Sequence, residues 1–122
     1  MQNLVSKKEE EERRLKALAE YRILGTKPES CYDDITKIAA TTCNVPISLM
    51  TLVDKDKQWF KSKIGLQISE TRRDWSFCTH AIKENSPLII HDAFQDERFI
   101  NNPLVTGDPK IRFYAGFPLR NS

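Results

Sequence analysis

No apolar run in the sequence approaches the roughly 18–20 residues needed to span a bilayer. The first residues, MQNLVSKKEEEERR, are too charged for a secretory signal. Both absences point to a cytoplasmic chain with no membrane partner. Cysteine is scarce. Cys31, Cys43 and Cys78 are odd in number, widely spaced and form no C-x-x-C pair. That argues against a disulfide framework and leaves Cys31 and Cys43 expected as small apolar core residues. An excess of one charge sign is lacking too. Lys and Arg number 19 and Asp and Glu 17, for a net charge of +2. The two signs are interleaved along the chain, as on a solvated surface, so no nucleic-acid partner is expected. There are no internal repeats and no low-complexity segments.

What is present fits a globular domain of 122 residues, 39% hydrophobic and 30% charged. Residues 1–5 are expected to be loose. Ser6 and Glu9 then have capping-box spacing, and Glu9–Arg13, Glu10–Arg14 and Glu12–Lys16 are acid-to-base pairs four apart. Leu15, Leu18, Ala19, Ile23 and Leu24 form an apolar stripe, and Gly25 sits where a helix would end. Thr26, Pro28 and Glu29 signal a second helix start. Its expected core face holds Cys31, Ile35, Ile38, Ala39 and Thr42.

Residues 45–54, VPISLMTLVD, are apolar on both alternating faces, as in a central strand. After a DKDK turn, QWFKSKIG alternates, with Phe60 and Ile64 on one side and Trp59, Lys61 and Lys63 on the other, solvated side. Residues 66–75 read as a loop. A short helix is expected over about 76–84, capped by Asp74 or Ser76, and a strand over 87–92. A long connection, 93–110, follows, of a length often used for binding. IRFYAGFPL is the last strand, with Ile111, Phe113, Ala115 and Phe117 on its apolar face. About four strands and the helices before and between them predict an α+β layer structure with a largely antiparallel sheet.

Residues 71–93, TRRDWSFCTHAIKENSPLIIHDA, hold the densest chemistry. On a helix, residues two apart do not face each other. Cys78 and His80 therefore cannot share a metal or form a thiolate–imidazole pair from that helix. A zinc ion would need about four ligands, and no metal is expected. Phe77, Cys78, Ala81 and Ile82 share the expected core arc, with His80 outside it beside Lys83 and Glu84. His91 reads as a hydrogen-bonded structural residue.

The runs NVPISLMTLVDKDKQWFKSKIGL, TRRDWSFCTHAI and PLIIHDAFQDERFINNPLVTGDPKIRFYAGFPL together resemble a GAF domain. The subclass they resemble stands N-terminal in bacterial sensor histidine kinases and diguanylate cyclases. The resemblance covers the chain from about residue 12, and rests on the order and spacing of these motifs. It implies a central antiparallel sheet flanked by helices, here lacking the family's usual last strands and closing helix. It implies a linker or dimerisation helix over 1–25 and the GAF domain over 26–122. The sheet would be completed by further chain or by a partner copy. Bilin-attaching relatives place His directly after the Cys, whereas here Thr79 intervenes, so no bilin is expected. The motif sets of cyclic-nucleotide binders and methionine sulfoxide reductases are not matched.

The resemblance implies a non-catalytic sensory module that binds a small molecule, dimerises, or both, to control an attached output domain. Its pocket is expected between the sheet and residues 72–114. Phe60, Phe77, Phe99 and Tyr114 are the expected apolar walls, with Cys78 at their edge. Asp92, Arg98, Asn102 and Arg112 are the candidate polar groups, and Arg72 and Arg73 the expected flank of its mouth. No cofactor is assigned beyond an unidentified small-molecule ligand, and the expected partner is a second copy of the chain. Two other readings compete: a thiol-based redox enzyme or sensor using Cys78, and a purely structural dimerisation domain.

Overall fold

The computed structural model describes residues 4–83 and 86–120. The chain divides into two compact units, with the boundary between Thr71 and Arg72. The first contains helices α1 (Leu4–Tyr21) and α2 (Ser30–Cys43) and strands β1 (Ser48–Val53) and β2 (Lys57–Ile64). A short strand β3 (Glu70–Arg72) ends at the boundary.

Helix α1 is already formed at Leu4, so Ser6 lies inside it rather than at its cap, and residues 4–5 are not loose. Residues 1–3 fall outside the described part. The helix ends at Tyr21, four residues before Gly25, because Arg22 turns to a positive φ of 52°. Ile23 and Leu24 therefore belong to the connection. Arg14 pairs with Glu11, one turn back, at 2.8 Å, and donates through Nη1 to the Val53 carbonyl at the end of β1 at 2.5 Å.

Helix α2 starts at Ser30, with Glu29 in the cap position and no side-chain capping bond. Thr26 and Glu29 are engaged elsewhere, as described below. The helix ends on Asn44, whose left-handed φ of 52° lets its N–H reach the Ala40 and Thr41 carbonyls. The expected core face is the wrong one. Cys31 and Cys43 are exposed, and Ile35 and Ile38 are 56% and 64% exposed. The inward residue is Thr36, which donates to the Tyr32 carbonyl at 3.0 Å, while the exposed Asp33 reaches the sheet by accepting from the buried Ser62 Oγ at 2.6 Å. Polar groups can face inward here because each has a specific partner.

β1 and β2 form an antiparallel hairpin in register from Ser48–Ile64 to Val53–Gln58. Asp54 N–H donates to the Lys57 carbonyl at 2.8 Å and closes the expected turn. The sheet order is β1-β2-β3. Among the described residues β1 is thus an outer strand, although its composition is that of a central one. Part of the expected loop 66–75 pairs as β3. The register also breaks once. Met50 faces Ser62 and Thr51 faces Phe60, so Lys61 has no partner across the hairpin. It is the extra residue of a β-bulge, which re-aims side chains. The strict alternation that put Lys61 on a solvated face therefore fails, and Phe60, Lys61 and Ser62 are all buried.

The second unit follows with a tight turn (Arg73–Trp75), α3 (Cys78–Ala81), β4 (Leu88–Ile90), a turn at Ala93–Gln95, α4 (Pro103–Thr106) and β5 (Tyr114–Gly116). α3 is one turn long, shorter than the expected 76–84. Ser76 Oγ accepts from the Thr79 N–H at 3.2 Å, the capping contact expected of it. Glu84, expected beside His80, lies outside the described residues. β4 pairs antiparallel with β5, with Ile89 opposite Ala115. The core is Phe77, Ile90, Ala93, Phe99 and Val105, with Leu88, Leu104, Ile111 and Tyr114 packed against it. Here again one expected face is reversed. Tyr114 turns inward, while Phe113 and Phe117 are 53% and 66% exposed.

Candidate functional site

Phe60 is buried on β2 in the first unit. The other eight candidates all lie in the second, where they form two groups.

The first group is aromatic. Phe77 precedes α3, and Phe99 ends a turn whose N–H donates to the Asp96 carbonyl at 3.0 Å. Their rings stack, with centroids 4.2 Å apart and planes at 11°. Tyr114, from β5, meets Phe77 at 5.1 Å with a 44° tilt. Its hydroxyl donates to Cys78 Sγ at 3.2 Å. Burial, and then the neighbouring Cys78 sulfur, push the phenol above its ordinary range, so it stays protonated and acts as a donor. Cys78 thus lies beside Tyr114, whose ring packs against Phe77.

The second group is polar, and each member has an internal partner. Asp92 accepts from the Phe94 N–H at 3.0 Å and caps the turn it begins. Arg98 grips Asp96 with two parallel bonds of 3.0 and 2.8 Å, holds the Asp96 carboxyl below its ordinary range, and lies over the Phe99 ring. Asn102 caps α4 by accepting from Leu104 N–H at 2.8 Å. Its amide also donates to the Trp75 carbonyl at 2.9 Å, tying two segments together. Arg112 donates to the Val105 and Ile111 carbonyls at 3.0 and 3.1 Å and covers the Phe94 ring. These four groups shape the loops around the aromatic core and do not converge on one point. Arg72 is bound to Asp74 through bonds of 3.0 and 2.7 Å.

His80 is the residue the sequence reading undervalued. Its ring stands edge-on to Phe99, with centroids 5.0 Å apart. Desolvation, then Lys83 and Arg98, lower its pKa and favour the neutral imidazole. The i, i+3 spacing from Phe77 was the available signal, since it places His80 on the neighbouring turn. Thiol and imidazole are thus committed to different aromatic neighbours, Tyr114 and Phe99. Among the described residues, no group of three His, Cys, Asp or Glu side chains is placed to hold a metal ion. Nor is any helix there long and apolar enough to cross a membrane.

An α+β chain with antiparallel strands, an aromatic core and these motifs has the features of a signalling domain. The family model for the GAF domain matches residues 27–122, and the chain belongs to that family. It is also 38% identical over 111 residues to a cyclic di-GMP phosphodiesterase of Pseudomonas aeruginosa. The match covers 91% of this chain but 19% of that protein, so the chain spans about a fifth of its relative's length. Family and relative together mark the chain as a signalling or regulatory module.

Proposed function

We propose that this chain is a non-catalytic sensory module of a bacterial signal-transduction protein. It binds a small molecule, dimerises, or both, and so controls an output domain elsewhere in the polypeptide. An output enzyme such as a histidine kinase, a diguanylate cyclase or a cyclic di-GMP phosphodiesterase fits this role. The module is cytoplasmic in this reading, with residues 1–25 as its linker or dimer helix and 26–122 as the sensing domain.

The observation that carries the binding part is the Tyr114–Cys78 pair beside the Phe77–Phe99 stack. It sets two half-buried polar groups beside a buried aromatic stack, the mixture of groups that small-ligand sites use. Asp92, Arg98, Asn102 and Arg112 contribute by fixing the surrounding segments. Native and denaturing mass spectra of the purified chain test this. A mass increment present only in the native spectrum, and weakened by Tyr114→Phe, is expected. A bare mass after incubation with cell metabolites would remove the binding part.

The same pair supports the thiol reading second, because Cys78 is half-buried with a phenol donor at its sulfur. That reading requires a covalent increment that survives denaturation and disappears in Cys78→Ser.

A further inference from the structure

Lys61 on β2 has a fully buried side chain. A lysine ammonium has three N–H donors and no acceptor. Here three acceptors surround it: Thr26 Oγ1 at 2.7 Å, the Lys27 carbonyl at 2.6 Å and Glu29 Oε2 at 2.7 Å. All three belong to the short connection between α1 and α2. The Tyr32 ring, one turn into α2, adds its face at 5.4 Å. Thr26 Oγ1 in turn donates to the Ile23 carbonyl at 2.5 Å, which extends the network to the segment leaving α1.

Two independent features bring this about. Lys61 is the unpaired residue of the β2 bulge, so its side chain is released from the strand's alternation. The connection itself lacks a regular ladder, and its Thr26 and Glu29 serve Lys61 rather than the cap of α2. A buried cation left without these partners would be strongly unfavourable. The bond set therefore forms or breaks as a unit.

We propose that Lys61 is a latch that fastens the α1–α2 connection to the sheet, and that with the Arg14–Val53 bond it sets how α1 is held. The bulge is the device that aims it. β2 also carries Phe60, a candidate ligand wall, on the residue before the latch. A shift of β2 would reach α1 by this route. That signalling role rests on the sensory reading above, whereas the latch itself does not.

Hydrogen–deuterium exchange on the full chain tests it without any ligand. In Lys61→Met, the Thr26 amide, the one in residues 23–29 with a backbone acceptor among the described residues (the Ile23 carbonyl), should exchange roughly ten- to a hundredfold faster, the scale of local opening when charged hydrogen bonds are lost. Amides of the β1–β2 ladder should keep their protection. Thr26→Val with Glu29→Gln removes one acceptor and the counter-charge from the connection and leaves the strand intact, and it should give the same local signature. Should Lys61→Met not fold, the double variant decides by the same criterion. Unchanged exchange at residue 26, or an equal loss throughout the first unit, would overturn the latch. Ligand binding seen by native mass spectrometry would survive that result, so the two proposals fail separately.

Discussion

At the scale of single residues, Gly65 carries a specific backbone demand. Its φ is +86°, and a Cβ there would strike the Pro46 carbonyl. Alanine would meet both strain and a fixed backbone oxygen. Gly65→Ala should cost about 1–3 kcal/mol, read as a lower midpoint of chemical unfolding with an unchanged slope. His80 makes a different kind of prediction. Its folded-state pKa lies below the ordinary 6.5, chiefly through desolvation. The unfolded chain then binds the proton more readily than the folded one. Stability should therefore be full above pH 6.5 and fall as the pH drops from there toward the lowered folded value. Below both values this contribution should be constant. Thermal unfolding at a series of pH values checks this. His80→Gln should flatten that part of the profile, and an unchanged profile would count against the desolvated ring.

At the scale of elements, the periods were legible and the buried faces were not. Residues 31–42 have helical spacing, and α2 forms there, yet Ile35 and Ile38 point outward. Residues 113–117 alternate, yet Tyr114 is the inward one. In both places the inner face carries a polar side chain with a named partner: Thr36 with the Tyr32 carbonyl, Tyr114 with Cys78. Hydrophobicity ranks faces by transfer energy alone and does not register a satisfied hydrogen bond. Lys61 failed for another reason, since a one-residue bulge resets the alternation and leaves no mark in composition. By contrast, helical spacing already grouped Phe77 with Cys78, whereas Phe99 and Tyr114, which pack with them, lie on separate segments that no periodicity links. The reversed face of α2 has a measurable consequence. Ile35→Ser and Ile38→Ser should each change the stability of the monomeric chain by no more than about 0.5 kcal/mol, as for surface substitutions. Phe99→Ala, which empties a site in the core, should cost about 3–5 kcal/mol. Equal losses at Ile38 and Phe99 would show that α2 is buried after all.

At the scale of the whole molecule, the apolar surface left outside has to be reconciled with a modest net charge of +2. Ile35 and Ile38 are exposed in the first unit and Phe113, Phe117 and Leu119 in the second, and apolar surface left exposed can mark contacts with other chains. The proposed dimer makes a sharper claim, because it assigns the contact to α1. Leu15 and Leu18 lie one turn apart there and are half-buried within the chain. A shared helical seam would bury the rest of both side chains. Replacing both with lysine adds two charges per copy at the seam and leaves the core clusters untouched. Light scattering coupled to size separation should then give the mass of a single chain, half that of the parent dimer, with an unchanged far-ultraviolet spectrum. Ile35→Ser with Ile38→Ser serves as the counter-experiment. If that pair dissociates the dimer and the leucine pair does not, the interface belongs to α2. In that case the reversed face of α2 is explained by the partner copy, and α1 is held within its own chain by the Arg14–Val53 bond and the Lys61 latch.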